Sequence, residues 1–253
     1  MNQKLTLFWF VIFTVVLSFA VYFIPFPEEM QSLLIPVLLV FIPAIVCIVI
    51  VFLAEGRVGI RQLFSRVQSG FRWLLIGFLV GIGMRVVVFI MGIIMGTSIK
   101  ADLSVPGTWF VMLLTIPFAY FEELGWRRFA LDRILKYHSP FLSALLLGLP
   151  WGIIHLVIIL PGMMNEGTPA IPQTIQLISL GIILTWAYIC SGGSVFTTTL
   201  LHGSQNAFVV INRGLSMSEV TWLSMWVFLG LAIIFILVDR RMFFKKTILT
   251  KAN

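Results

Sequence analysis

The sequence predicts an all-α polytopic membrane bundle of about eight transmembrane helices. Three observations predict it: 60% of the 253 residues are hydrophobic and 11% charged, apolar runs follow one another almost end to end, and the basic residues gather at the ends of those runs. In a water-soluble domain about a quarter of residues carry charge. A mean hydropathy of +1.07 lies far from that regime.

A bilayer core of about 30 Å takes about 20 apolar residues per helix. Breaking the runs at charges, prolines and glycines gives candidate spans over about 5–25, 31–54, 72–97, 107–135, 139–161, 171–190, 193–212 and 218–239. The first follows only Lys4 and has no small-residue cleavage site before Glu28, so it is expected to stay as a span. Between the second and third, Arg57, Arg61 and Arg66 alternate with Val58, Ile60, Leu63 and Phe64. That mixture reads equally as an interfacial amphipathic helix or as a basic loop. The fourth run turns polar in its second half, and only Ser191 and Gly192 separate the sixth from the seventh.

Charge sets the orientation. With eight spans, 14 of the 17 Lys and Arg residues fall on the side holding both termini, Lys100 and Arg213 fall opposite, and Arg85 lies inside the third span. Basic residues concentrate in cytoplasmic loops, so both termini are expected in the cytoplasm, in a prokaryotic cell membrane. The net charge of +7 therefore belongs to topology and not to nucleic-acid binding. Cys47 and Cys190 sit in apolar runs without CxxC spacing and read as core residues. No repeat divides the chain, which is expected to form one domain over 1–253 with a motif-bearing core at about 107–212.

Ionisable side chains within the hydrocarbon region are costly and face the bundle interior, so each is a functional candidate. Of ten acidic residues, Glu122 and Glu123 stand well inside a span, and so do His155 and His202. Successive helical residues point about 100° apart, so the two glutamates divide their work. Glu123 and Arg127 are at i, i+4, where a carboxylate meets a guanidinium. Glu122 is left without a charge partner on its helix, as a general base requires. Trp151 and His155 share one face of the fifth span, and His202 and Asn206 share one of the seventh. If the three faces converge, one carboxylate, two imidazoles and a carboxamide can activate water and hold the oxyanion of amide hydrolysis. Singly, each residue reads as a salt bridge, a core histidine or interhelical glue; their joint occurrence favours the catalytic reading. Arg85 either pairs with a carboxylate or snorkels.

In order, Glu122-Glu123-x-x-x-Arg127, Trp151-x-x-x-His155 and His202-x-x-x-Asn206 resemble the motifs of the CPBP family of intramembrane proteases (CAAX proteases and bacteriocin-processing enzymes, also called Abi) over about Trp109 to Val210. Trp151 stands where that family more often has phenylalanine. The resemblance implies an intramembrane endopeptidase acting on membrane-associated proteins or peptides within the lipid bilayer. It implies Glu122 activating water with His155, His202 and Asn206 stabilising the oxyanion, and Glu123, Arg127 and Trp151 as structural support. No cofactor is required on this reading. Glu122, His155 and His202 are also a zinc-type ligand set, but they lie on three helices without an HExxH pair, and the metal-independent mechanism is preferred. A non-catalytic immunity or scaffold protein would not need these residues intact. A proton-coupled transporter would show paired repeats with broken helices, which the sequence lacks.

Overall fold

The computed structural model describes residues 2–65, 69–96, 108–212 and 214–245. Among them the chain is helical, in ten α-helices with short π and 3₁₀ stretches. Helices α1 (Gln3–Tyr22), α2 (Glu28–Leu63), α3 (Phe71–Ile94), α4 (Thr108–Glu123), α5 (Asp132–Ile134), α6 (Pro140–Ile154), α7 (Ala170–Cys190), α8 (Val195–Ala207), α9 (Met217–Val238) and α10 (Arg240–Phe244) follow in order. Each of the eight apolar runs overlaps one of the longer helices. Six helical segments, within α1, α2, α3, α7 and α9 and over 140–159, are long and apolar enough to cross a membrane. The other two, α4 and α8, have 16 and 13 residues. They carry polar groups; α8 is packed inside the bundle, and α4 is buried at its glutamate-bearing end while Trp109, Phe110 and Leu113 face outward.

That inversion is what a bilayer demands. Large apolar side chains such as Phe8, Phe52, Leu79, Leu149 and Leu237 are exposed on outer faces, whereas Arg85, Glu122, Glu123, Arg127 and His202 are buried. Polar groups withdrawn from lipid must find partners within the protein. In α8 every residue except Phe196, Leu200 and Asn206 is buried.

Small residues let α8 sit so deep. It packs chiefly on α3 and α4. A Cβ on Gly77 or Gly81 of α3 would run into the backbone of Thr197 or Leu201, and one on Gly203 would lie 2.6 Å from the Cα of Ile116 in α4. Such glycines allow close backbone approach where lipid supplies no hydrophobic drive between helices. A tight turn joins α7 to α8 through Gly192 and Gly193, at φ 72° and 91°. The Ser194 hydroxyl then accepts from the Thr197 amide to cap α8.

The expected fourth helix, 107–135, is not one α-helix; residue 107 lies outside the described residues. From Leu124 to Leu131 the chain is π-helical before α5 resumes. The packing there is close: at Gly125 a Cβ would stand 2.7 Å from the Pro43 carbonyl, so a residue without a side chain lets α2 lie against this turn. Inserted π turns are frequent at functional sites. Two further runs are shorter as helices than as apolar segments. Over 139–161 the helix stops at Ile154, making His155 its C-cap, and over 193–212 it ends at Ala207 and becomes 3₁₀.

The basic stretch after Glu55 is helical through Leu63, continuing α2 beyond a break at Gly56 (φ 63°, ψ −156°); Arg66 lies outside the described residues. Arg128 closes the end of that helix, donating to the carbonyls of Gln62 and Leu63 and to the Ser65 hydroxyl. It also pairs with Asp132 at 3.1 Å. Nearby, Arg133 meets Glu55 at 2.6 Å. Cys47 is buried and Cys190 half-buried, both free thiols.

Candidate active site

The two glutamates at the end of α4 have different surroundings. Glu123 has no exposure. One oxygen stands 3.0 Å from Nδ1 of His202 on α8, and the other 3.4 Å from Nε of Arg127 on the π turn. The sequence assigns Glu123 to Arg127; the close approach of α8 adds His202. Glu122 is 6% exposed and accepts a 2.9 Å hydrogen bond from the indole Nε1–H of Trp151. No guanidinium or imidazole bonds it directly among the described residues. Of the pair, Glu122 alone has any opening toward a solvent molecule.

Trp151 links these groups. Its ring meets those of His155 and His202 edge to face, each at 5.4 Å, while the Arg127 guanidinium lies 5.3 Å from the ring centroid. Aromatic pairs prefer that crossed geometry, and a cation is attracted to the ring face. Arg127 is thus held between a carboxylate and an indole. A buried tryptophan also needs an acceptor for its N–H, and Glu122 supplies it.

The two histidines are held by different partners. Nδ1 of His155 lies 2.8 Å from the Trp151 carbonyl one turn earlier. A carbonyl only accepts, so Nδ1 carries the proton and Nε2 of the neutral ring is an acceptor. Gln173 of α7 in turn donates to the His155 carbonyl at 3.2 Å, bracing the end of α6. His202 directs Nδ1–H to Glu123, so its Nε2 donates only when the ring carries both protons, with Glu123 as counter-charge. Glu122 and His155 share Trp151 as a common neighbour and are not hydrogen-bonded to each other.

Asn206, half-buried, accepts at its Oδ1 from the Gln205 side chain. Gln205 is held by Arg85, which is buried and among the described residues pairs with no carboxylate. It donates to the Gln205 carbonyl at 2.8 Å, to the Gln205 Oε1 at 2.7 Å and to the Ser224 hydroxyl at 2.9 Å. Sequence reasoning does not assign Gln205 or Ser224. The signal available was an amide adjacent to a candidate amide, one turn from a histidine.

Among the described residues, no three or more His, Cys, Asp or Glu side chains are spaced to hold a metal ion. Around Trp151 the site offers a carboxylate, a proton-accepting imidazole and an imidazole able to donate, and the Asn206 carboxamide lies one turn beyond His202 on α8. That set matches what amide hydrolysis requires.

Residues 103–208 match the family model described as Type II CAAX prenyl endopeptidase Rce1-like. CAAX prenyl protease 2 of Methanococcus maripaludis is 26% identical over 147 residues, covering 54% of this chain and 52% of that protein. The chain spans about half the length of this curated relative. The family match contains α4, the π turn, α6, α7 and α8, and so every residue of the candidate site except Arg85 and Ser224.

Proposed function

Because the chain belongs to the CPBP family of intramembrane proteases, we propose that it is an endopeptidase that hydrolyses peptide bonds of membrane-associated substrates, with Glu122 as general base. The single observation that carries this reading is the division between the glutamates. Glu123 is committed to Arg127 and His202, while Glu122 is fixed by one indole N–H and keeps lone pairs for a water molecule.

In the proposed reaction Glu122 takes a proton from water, with Nε2 of His155 as the second acceptor, and the hydroxide attacks the scissile carbonyl carbon. The carbonyl oxygen becomes an oxyanion that receives hydrogen bonds from His202 Nε2–H and Asn206 Nδ2–H. Collapse of this intermediate breaks the C–N bond, and the proton held by Glu122 passes to the departing nitrogen. One acid and one amine result. Arg127 and Trp151 keep the carboxylates and rings in place and touch no reacting atom.

The archaeal relative is named a CAAX prenyl protease, so prenylated peptides ending in a CAAX sequence are the proposed first substrate class. The test compares purified wild type with Glu122→Gln on such a peptide, and compares the membrane peptidomes of cells carrying each. Loss of the base should lower the rate by roughly 10²- to 10⁴-fold at unchanged protein abundance. Equal product formation by both proteins, or identical peptidomes, would overturn the reading.

One observation favours a second reading with the same residues. Both imidazoles are braced through Nδ1, leaving Nε2 outward, as metal-binding histidines commonly are. Zinc dependence would appear as loss of cleavage on chelation and its return with added zinc.

A further inference from the structure

Arg85 is 5% exposed and, among the described residues, has no carboxylate partner. Part of its role is structural. Helix α8 ends at Ala207, so the Gln205 carbonyl belongs to the last turn, whose acceptors lack helical donors and attract a cation. The Nε–H of Arg85 meets that need at 2.8 Å. The bond from Nη2 to the Gln205 side chain, 2.7 Å, is not needed to cap a helix.

We propose that Arg85 is a positioning residue that acts through Gln205 to fix which end of the Asn206 carboxamide is left free to meet substrate. A guanidinium has donors only, so the Gln205 atom facing it must be Oε1. The Nε2 of Gln205 is thereby turned toward Asn206. A donor facing Asn206 requires an acceptor there, so Oδ1 of Asn206 is taken up by Gln205 and its Nδ2–H₂ is left out of that bond. A carboxamide free to flip would present its oxygen for part of the time and repel an oxyanion. Two successive amides thus carry the polarity of one buried cation into the site. The placement follows from helix packing: Gly77, Gly81 and Arg85 follow at four-residue spacing along α3, facing Thr197, Leu201 and Gln205 at the same spacing along α8. This inference rests on the reading above of Asn206 as an oxyanion donor.

The test is Gln205→Glu, which keeps shape and gives Arg85 a carboxylate but removes the donor to Asn206. Asn206 must then turn its Nδ2–H₂ toward the new acceptor. With ¹⁵N-asparagine labelling in detergent, the Asn206 side-chain resonance is identified by its loss in Asn206→Ala. In Gln205→Glu one of its two protons is expected to move downfield. On a prenylated CAAX peptide, kcat should fall roughly 100-fold, the scale of losing one oxyanion donor, with KM little changed. In the Asn206→Ala background the same substitution should cause no further loss. An unmoved Asn206 resonance in folded Gln205→Glu, or a kcat loss that adds to that of Asn206→Ala, overturns the proposal. If Gln205→Glu does not fold, Arg85→Lys carries the test: a donor-only ammonium preserves the order of the two amides, and a shifted Asn206 resonance there overturns it. Full kcat in Asn206→Ala would refute the oxyanion reading alone, and the resonance would still decide the relay.

Discussion

Replacing Glu123 by glutamine removes the carboxylate in direct contact with both Arg127 and His202. Arg127 is 2% exposed, and its Nε and one Nη atom already lack a hydrogen-bond partner among the described residues, so the variant strands a guanidinium left with the face of Trp151 and the more distant Glu122 charge. Removing one partner from a buried pair costs about 3–5 kcal/mol. For a chain of this size each kcal/mol corresponds to about 2–4 °C, giving a drop in Tm of roughly 6–20 °C. The structure adds a second consequence. Glutamine offers one acceptor in place of two, so satisfying Arg127 turns its amide toward His202 and removes the counter-charge that lets Nε2 donate. Activity per folded molecule should therefore fall as well, by up to roughly 10²- to 10³-fold. Glu122→Gln has the opposite signature, with cleavage lost and Tm nearly unchanged, because among the described residues Glu122 makes no ion pair to break. The assay is melting in detergent together with peptide cleavage at matched amounts of folded protein. If Glu122→Gln keeps most of its cleavage per folded molecule while Glu123→Gln is inactive and melts like wild type, the two roles are reversed.

Two further outcomes are expected. Trp151→Phe keeps the ring that separates the histidines but loses the 2.9 Å bond to Glu122, so the protein should fold and show kcat lower by about tenfold, equivalent to ~1.4 kcal/mol; an unchanged kcat would show that the indole N–H has no part in holding the base. With both termini proposed to be cytoplasmic, the segment between α6 and α7 faces outward, so an impermeant thiol reagent should label exposed Met164→Cys in intact cells; labelling only after the cytoplasmic face is opened would refute that orientation.

The apolar runs sufficed to predict a helical membrane bundle, because span length is set by bilayer thickness and backbone polarity in lipid leaves little choice but a helix. The residues proposed to carry the chemistry also stood out. An ionisable group in an apolar run stands out against its neighbours, and Glu122, Glu123, His155 and His202 did so without any knowledge of packing. Local spacing further gave the Glu123 to Arg127 pair, since i, i+4 contact is a property of one helix. Which groups meet across helices was not in the spacing. His202 reaches Glu123 because Gly203 lets α8 lie against Ile116, and Arg85 finds Gln205 because Gly77 and Gly81 seat α3 against the same helix. The close approach of Pro43 to Gly125 on the π turn after Glu123 likewise joins neighbours distant in sequence. A periodic pattern records which face of a helix is apolar, whereas the partner of a buried polar atom depends on how closely two backbones approach. Only the tertiary structure fixes that distance.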